Sequence, residues 1–140
     1  MSLTYDPNNI FAKILRGEAP SVRVYEDEAA LAFMDVMPRT PGHTLIIPKA
    51  AARNLFDISP ADLAALIPTV QRIAIAAKSA LDAEGVSVMQ FNESAGGQVV
   101  FHLHFHVLPR WEGVALKPPG GPMASAAELQ PIADKIKAAL

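Results

Sequence analysis

Three of the four histidines in this chain lie close together, at His102, His104 and His106. Side chains alternate between the two faces of a β-strand, so this spacing predicts three imidazoles on one face. Cβ atoms two residues apart on a strand are ~7 Å apart, which lets the three rings converge on one small ligand. Crowded imidazoles repel one another when protonated, so we interpret the cluster as functional rather than structural. The residues that alternate with these histidines are apolar and should pack against a helix on the opposite face: Leu103, Phe105 and Val107.

Two chemistries use such a histidine face. One is a zinc or copper site with an open coordination position. The other is nucleophilic catalysis at phosphorus, in which a neutral imidazole forms a phosphohistidine-type adduct and then yields it to water. The adjoining residues 94–100 contain no acid to orient metal-bound imidazoles, but Gly96 and Gly97 allow backbone amides to approach an anion, and Gln98 is a neutral donor for a phosphate oxygen. These neighbours favour phosphate chemistry and leave the metal site as the alternative.

The composition limits the class of protein. The 140 residues contain no cysteine, which excludes a disulfide framework, a thiolate zinc site and a cysteine nucleophile, and indicates a reducing compartment. Twelve basic and fourteen acidic residues give a net charge of −2, which argues against nucleic acid as a partner. Residues 1–10 lack the features of a secretory signal, and residues 61–77 are too short and too polar to span a membrane. We expect one cytoplasmic domain over residues 1–140 that binds neither membrane nor nucleic acid.

The first half of the chain predicts a short helix, a hairpin and a buried strand. Asp6-Pro7-Asn8 marks the start of the helix and Gly17 its end. The hairpin strands are expected at residues 22–25 and 30–34, and the buried strand at residues 43–47 before Pro48.

The second half begins with a long helix. Ser59 is its expected N-cap and Pro60 its first residue, while Pro68 should bend or break it. Strands are then expected at residues 86–91 and 99–108, the latter closed by Pro109. After a proline- and glycine-rich stretch, Ser125 to Glu128 resembles a capping box for a terminal helix, whose start Pro131 could shift. Helices separated in this way from antiparallel strands predict an α+β fold.

Several segments resemble the histidine triad (HIT) nucleotide-binding proteins. Residues 102–108 match the family's His-φ-His-φ-His-φ-φ signature, where φ is apolar. Residues 10–15, 33–36 and 41–49 resemble its opening helix, its ribose-contacting strand end and its central strand, in the family's order. The resemblance covers residues 8 to 112, is greatest to the Hint branch, and implies an antiparallel sheet of about five strands with one long helix and short terminal helices. Residues 113–140 would form a tail and a C-terminal helix.

The resemblance implies a role for each histidine. His104 would be the nucleophile that attacks the α-phosphate of a nucleotide. His102 would orient it, with its backbone carbonyl holding the other ring nitrogen of His104. His106 would bind a non-bridging phosphate oxygen and stabilise the transition state, and His43 would lie near the site. Gln98 would contact the scissile or leaving-group oxygen.

The resemblance also implies a nucleoside site. Asp35 would accept both ribose hydroxyls, a task that suits the two oxygens of a carboxylate. Five apolar residues would form the slot for the purine. Without the triad we would interpret them as ordinary core, and beside the triad we interpret them as the slot: Ile10, Phe11, Ile14, Phe33 and Val36.

The chain departs from the family pattern at three places. Val99 stands where the best-known members carry a hydroxyl residue, so a leaving-group proton must come from elsewhere. Ala51 replaces a histidine that often follows the Pro-Lys pair. The resemblance implies that Asn92 contacts the phosphate or the leaving group. The loop over residues 92–98, which carries Asn92, is one residue shorter than usual, so the spacing on which this role depends differs from the family pattern. Residues 108–110, Leu-Pro-Arg, are similar to the Fhit branch, whose substrates are dinucleoside polyphosphates.

These features lead us to expect a purine-nucleotide phosphoramidase that hydrolyses AMP derivatives without a metal or other cofactor. A dinucleoside polyphosphate hydrolase and a non-catalytic nucleotide-binding protein are the alternatives. The resemblance further implies a homodimer in which two sheets join edge to edge and the C-terminal tail approaches the partner's active site. The predicted strand over residues 86–91 would otherwise be an exposed edge.

Overall fold

The computed structural model describes residues 4–140. The prediction that residues 1–10 are not a secretory signal falls partly on residues 1–3, which lie outside the described residues. The helices are α1 (Ile10–Leu15), α2 (Pro60–Ala80) and α3 (Ala126–Ala138), and a 3-10 turn spans Ser94–Gly96. The strands are β1 (Arg23–Glu26), β2 (Ala30–Met34), β3 (Thr44–Pro48), β4 (Gly85–Met89) and β5 (Phe105–Arg110). They form one antiparallel sheet in the order β1-β2-β3-β5-β4. The expected α+β fold is confirmed.

The sheet is covered on both faces, which explains why every residue of β2 and β3 is buried. On one face, α2 and α3 pack in the main core; on the other, the short α1 covers a smaller cluster that includes Leu31, Phe33 and Leu45. The apolar residues between the triad histidines face the main core, as predicted, since Leu103 and Val107 belong to it and Phe105 packs against it. The histidines are thereby turned toward α1. No helix within residues 4–140 is long and apolar enough to cross a membrane.

The helix caps follow the sequence signals. Asn9 caps α1 by accepting from the Ala12 amide at 2.9 Å, and Ser59 caps α2 by accepting from Asp62 at 3.1 Å. Ser125 accepts from the Glu128 amide at 3.2 Å, so α3 begins at Ala126 and contains Pro131. The expected break at Pro68 does not occur, because α2 is continuous from Pro60 to Ala80 and Pro68 lies on its exposed side. Helix α3 adds core contacts beyond residue 112: Leu129, Ala133 and Ile136.

The predicted strand over residues 99–108 is wrong at both ends. Strand β5 begins at Phe105, the last residue that pairs with β3, opposite Ile46. The Leu103 amide donates instead to the Ala52 carbonyl at 2.9 Å. Strand β5 also runs through Pro109, whose carbonyl accepts from the Thr40 hydroxyl at 2.9 Å. Pro109 lies beyond the Thr44–Val107 pair, where β3 has not yet begun, so it needs no ladder donor toward β3. The predicted strand over residues 86–91 is likewise too long, since β4 ends at Met89.

Candidate active site

A cavity of about 580 Å³ lies on the α1 face of the sheet. Its wall includes ten of the thirteen expected site residues: Ile10, Phe11, Ile14, Phe33, Asp35, Val36, His43, Val99, His104 and His106. The other three, His102, Gln98 and Asn92, lie outside the wall. A second concave surface of about 590 Å³ runs along β4 and residues 110–115, and none of the four histidines lines it.

His104 is held as a neutral ring with one free nitrogen. It lies in the irregular segment before β5, where its Nδ1 is 2.7 Å from the backbone oxygen of His102. A carbonyl can only accept, so the ring hydrogen is on Nδ1 and Nε2 carries the lone pair. Burial lowers the pKa of His104, against the opposing effect of the His102 carbonyl. The Phe11 ring stands edge-on to it with centroids 4.9 Å apart.

His102 lies behind His104, and its ring does not face the cavity. Its Nε2 is 2.8 Å from the Pro48 carbonyl and therefore carries the hydrogen, which leaves Nδ1 to accept from the Tyr5 hydroxyl at 2.7 Å. The side chain is fully buried, and this burial lowers its pKa to about 4. Sequence reasoning missed Tyr5, because it belongs to no motif and lies far from the triad in the chain.

His43 and His106 share a directed hydrogen bond. The Arg39 amide donates to His43 Nδ1 at 3.1 Å, so the His43 hydrogen is on Nε2, which lies 2.9 Å from His106 Nδ1. His106 must then carry its own hydrogen on Nε2. Burial is the main cause that lowers the pKa of His43 to about 4 and that of His106 to about 3. Both rings are therefore neutral near pH 7.

Asp35 lies at the end of β2, beside His43. One carboxylate oxygen accepts from the Met37 amide at 2.8 Å, and the other is 3.4 Å from His43 Nε2. That distance would suit an ion pair only with a protonated ring, but the low pKa of His43 keeps its ring neutral, and its Nε2 hydrogen is donated to His106, so the contact is a close approach rather than an ion pair. Burial raises the pKa of Asp35, against the opposing effect of the Met37 amide.

Asp35, His43 and His106 offer one ligand atom each within 4.8 Å, which makes them the candidate metal site among the described residues. Coordination through His43 Nε2 would move the ring hydrogen of this histidine to Nδ1. That hydrogen would oppose the Arg39 amide hydrogen, which now points at Nδ1 from 3.1 Å. The donor set therefore does not fit a zinc or copper ion without rearrangement of the loop that carries Arg39.

The Gln98 side chain, expected to contact the scissile or leaving-group oxygen, is bonded within the protein. It is only 4% exposed, and all four hydrogen-bonding positions of the amide are used. Its nitrogen donates to the carbonyls of Arg53 and Val100 at 2.7 and 3.0 Å, and its oxygen accepts from Asn54 and from the Glu93 amide at 3.0 and 2.8 Å. Gln98 therefore holds the loop over residues 92–98 in shape and has no donor left for a phosphate.

The other polar groups of this loop are also engaged. The amides of Gly96 and Gly97 donate to loop carbonyls at 2.9 and 3.0 Å, so they are not free for an anion as the sequence suggested. The Asn92 oxygen accepts from the Leu55 amide at 2.9 Å and from Gln90 at 2.8 Å, and its nitrogen donates back to Gln90 at 2.9 Å. Asn92 is thus tied to the neighbouring strand end and does not reach the cavity wall.

The five residues of the expected base slot serve two purposes. Phe11, Ile14 and Phe33 are buried in the smaller core cluster and also line the cavity. Ile10 and Val36 are 47% and 37% exposed and form its rim. The apolar part of the cavity is therefore an extension of the core.

Residues 117–124, which we call the strap, form the outer wall. The Lys117 amide donates to the Arg39 carbonyl at 2.9 Å, and the Ala124 amide donates to the Val36 carbonyl at 2.7 Å. Pro119, Gly120 and Met123 line the cavity. The resemblance implied that the tail reaches the partner's site; in this structure it lies across the cavity of its own chain.

An open antiparallel sheet that presents a neutral imidazole with a free nitrogen, next to a second imidazole that donates, defines a histidine triad protein. The HIT domain model matches residues 16–113, and the chain belongs to the HIT family of nucleotide-binding hydrolases and transferases.

Three known proteins illustrate the relationship. A Hit-like protein of Bartonella henselae, described as involved in cell-cycle regulation and solved with an unknown ligand, is 54% identical, with 99% of this chain and 100% of that one covered at a TM-score of 0.95. A zinc-bound histidine triad family protein of Mycobacterium smegmatis is 35% identical, with 94% and 92% covered at a TM-score of 0.81. The adenylylsulfatase HINT3 of Arabidopsis thaliana is 38% identical over 111 residues, which are 79% of this chain and 56% of the plant protein.

Proposed function

We propose that this protein hydrolyses purine nucleotides at the α-phosphate, as a nucleoside phosphoramidase acting on AMP derivatives, through a nucleotidyl adduct on His104. The observation that carries the proposal is the 2.7 Å hydrogen bond from His104 Nδ1 to the His102 carbonyl. It fixes the tautomer in which Nε2 is a nucleophile, and the lowered pKa keeps that nitrogen unprotonated near pH 7.

The proposed reaction has two steps. His104 Nε2 forms a bond to the α-phosphorus while the bond to the leaving group breaks, and the leaving group departs with a proton from solvent. The adduct is a cationic imidazolium, whose Nδ1–H the His102 carbonyl stabilises. Water then attacks phosphorus, the electron pair of the N–P bond returns to Nε2, and AMP leaves while the proton of the water passes to solvent. No step requires a metal or other cofactor.

Groups around His104 would hold the substrate. His106 Nε2–H is the donor for a non-bridging phosphate oxygen, because His43 occupies its Nδ1. The Val99 amide makes no hydrogen bond within residues 4–140 and is a second available donor on the cavity wall. Asp35 would accept the ribose hydroxyls, and the apolar slot would hold the purine.

The experiment is a single-turnover reaction with adenosine 5′-phosphoramidate labelled at phosphorus, quenched in acid-free denaturant. We expect label on His104 in the wild-type protein and none in His104→Ala, which should still bind AMP within about threefold of the wild-type affinity while turnover falls at least 10³-fold. Arg72→Gln, on the exposed side of α2, is the control. Turnover by His104→Ala near the wild-type rate would contradict the proposal, and nucleotide binding without label or turnover would favour the non-catalytic alternative.

The dinucleoside polyphosphate alternative has less support. Its motif, residues 108–110, ends in Arg110, whose guanidinium donates to the Ser87 hydroxyl at 3.1 Å and does not line the cavity. Relative rates on diadenosine triphosphate and on the phosphoramidate decide between the two activities.

We also propose a cytoplasmic homodimer joined along β4. This strand is one edge of the sheet, and Val88 on it is 50% exposed. Sedimentation equilibrium should give twice the mass of one 14.9 kDa chain, and a monomer at micromolar concentration would contradict the dimer. The cytoplasm is proposed because the chain has no cysteine.

A further inference from the structure

Arg39 is a cation in the cavity wall without a carboxylate partner. No ion pair between residues 4 and 140 includes it. The one acid in the wall, Asp35, directs its oxygens to the Met37 amide and to His43. The histidines in the wall are neutral near pH 7 and Asp35 forms no ion pair with Arg39, so the guanidinium has no salt-bridge partner among the described residues.

The Arg39 side chain is held in place by the strap. Its Nε donates to the Lys117 carbonyl at 2.8 Å, while its own backbone carbonyl accepts from the Lys117 amide at 2.9 Å. These two hydrogen bonds fix the Nε end of the guanidinium. Its two terminal nitrogens make no hydrogen bond within residues 4–140. A guanidinium with both terminal nitrogens available fits the oxygens of a phosphate or sulfate in a bidentate manner.

The position of Arg39 places this charge next to the triad. Its backbone amide is bonded to the ring of His43, and His43 is bonded to His106. The Arg39 charge lowers the pKa of both rings, which agrees with a guanidinium close to the phosphate end of the cavity. Sequence reasoning did not single out Arg39, which lies in a loop between two prolines.

We propose that Arg39 binds a second anionic group of the substrate, a phosphate or sulfate carried in addition to the α-phosphate, and that the protein therefore prefers nucleotides that carry one. This rests on the proposed function, since it assumes that AMP derivatives occupy the cavity. The second anion has two possible sources, which share this chemistry: the leaving group, or a phosphate on the ribose. The name of the plant relative, an adenylylsulfatase, is consistent with the first source.

The test measures affinity and needs no turnover. AMP, ADP and adenosine 3′,5′-bisphosphate are titrated into the wild-type protein and into Arg39→Gln by calorimetry, with the integrity of each ligand checked afterwards. ADP carries the extra phosphate on the leaving-group side and the bisphosphate carries it on the ribose. We expect the affinity of one of the two, relative to AMP, to fall about tenfold in Arg39→Gln and to fall in the wild type as salt is raised. The ligand that responds identifies the source.

Matched variants separate this role from a purely structural one. Arg39→Lys keeps the charge and should retain part of the preference, whereas Arg72→Gln removes an equal charge from α2 and should leave the ratios unchanged. A residue that only anchors the strap would alter the affinities for all three ligands by the same factor. Unchanged ratios in Arg39→Gln, with AMP still bound, would overturn the role of Arg39 alone. A wild-type protein that binds none of the three ligands would overturn the proposed function and this inference with it.

Discussion

The hydroxyl of Tyr5 donates a hydrogen bond to Nδ1 of His102 at 2.7 Å, across 97 residues of sequence. This bond and the Pro48 carbonyl at 2.8 Å occupy both ring nitrogens of His102. The ring is thus fixed in one orientation, and the backbone carbonyl of the same residue is directed to Nδ1 of His104. The N-terminal segment is therefore linked to the His104 ring through His102, without contacting His104 by a hydrogen bond.

Tyr5→Phe should slow turnover by about three- to tenfold. The substitution removes one buried hydrogen bond, worth about 1 kcal/mol, and so holds the His102 carbonyl that bonds to His104 less firmly. AMP affinity should change less than turnover, since Tyr5 does not line the cavity. The ¹⁵N shifts of His102 report the change directly. Tyr25→Phe is the control: it removes a comparable bond, to Asp27 at 2.8 Å, far from the histidines. A Tyr5→Phe protein with wild-type kcat would contradict this positioning role.

The four histidines should dominate the pH dependence of stability between pH 5 and 6.5, because all of them lie in this site. Their pKa values in the folded protein are below the ordinary value of 6.5, near 4 for His43 and His102 and near 3 for His106. The unfolded chain therefore binds more protons in this range. This contribution to stability is fully present above pH 6.5 and is lost as the pH falls toward 4, by about 1.4 kcal/mol per pH unit for each of His43, His102 and His106, and in the same direction for His104.

Urea unfolding at several pH values measures this slope. His43→Gln should reduce the slope at pH 5 by one proton, whatever its effect on stability at pH 7. Most carboxylates contribute only at lower pH, since their ordinary pKa values are near 4. A free energy of unfolding that stays constant from pH 7 to pH 5 would contradict the neutral state of these rings.

Gln98→Leu should destabilise the protein by about 3 kcal/mol, since it leaves buried partners such as the Arg53 carbonyl and the Asn54 amide unpaired. Thermal or urea unfolding checks the value. Gln130→Leu, on the exposed face of α3, should change stability by less than about 0.5 kcal/mol. If Gln98→Leu kept the wild-type free energy of unfolding and lost only turnover, Gln98 would have a direct role in catalysis.

The sequence predicted the helices and strands because their signals are local, whereas the site residues came from the resemblance to the HIT family. Caps at Ser59 and Ser125 and the apolar positions around the triad are read from neighbours in the chain, and the structure agrees with them. The strand boundary at Phe105 is different, because the segment before it bonds to a residue far away in sequence, with the Leu103 amide donating to the Ala52 carbonyl.

The polar contacts of the site also depend on residues that are distant in sequence. Gln98 has the residue type of a phosphate donor, but its partners Arg53 and Asn54 come from another segment and fill its amide. Tyr5 and Arg39 gain their significance from contacts with His102 and Lys117, which no spacing in the sequence indicates. Residue type and periodicity therefore predict which face carries the chemistry, whereas the direction of each hydrogen bond requires the folded structure.

Val99→Ser tests how the lack of a hydroxyl at position 99 affects the turnover rate. Val99 lies on the cavity wall and is 83% exposed, so the substitution should change the free energy of unfolding by less than about 0.5 kcal/mol. A hydroxyl there can pass a proton to a departing amine, which leaves poorly unless protonated, so kcat on adenosine 5′-phosphoramidate should rise about tenfold. A substrate with an acidic phenol as leaving group needs no such proton and should gain less than twofold. Val114→Ser, at a 55% exposed position outside the cavity, is the control. An equal gain on both substrates would mean that the serine acts through binding rather than through proton transfer.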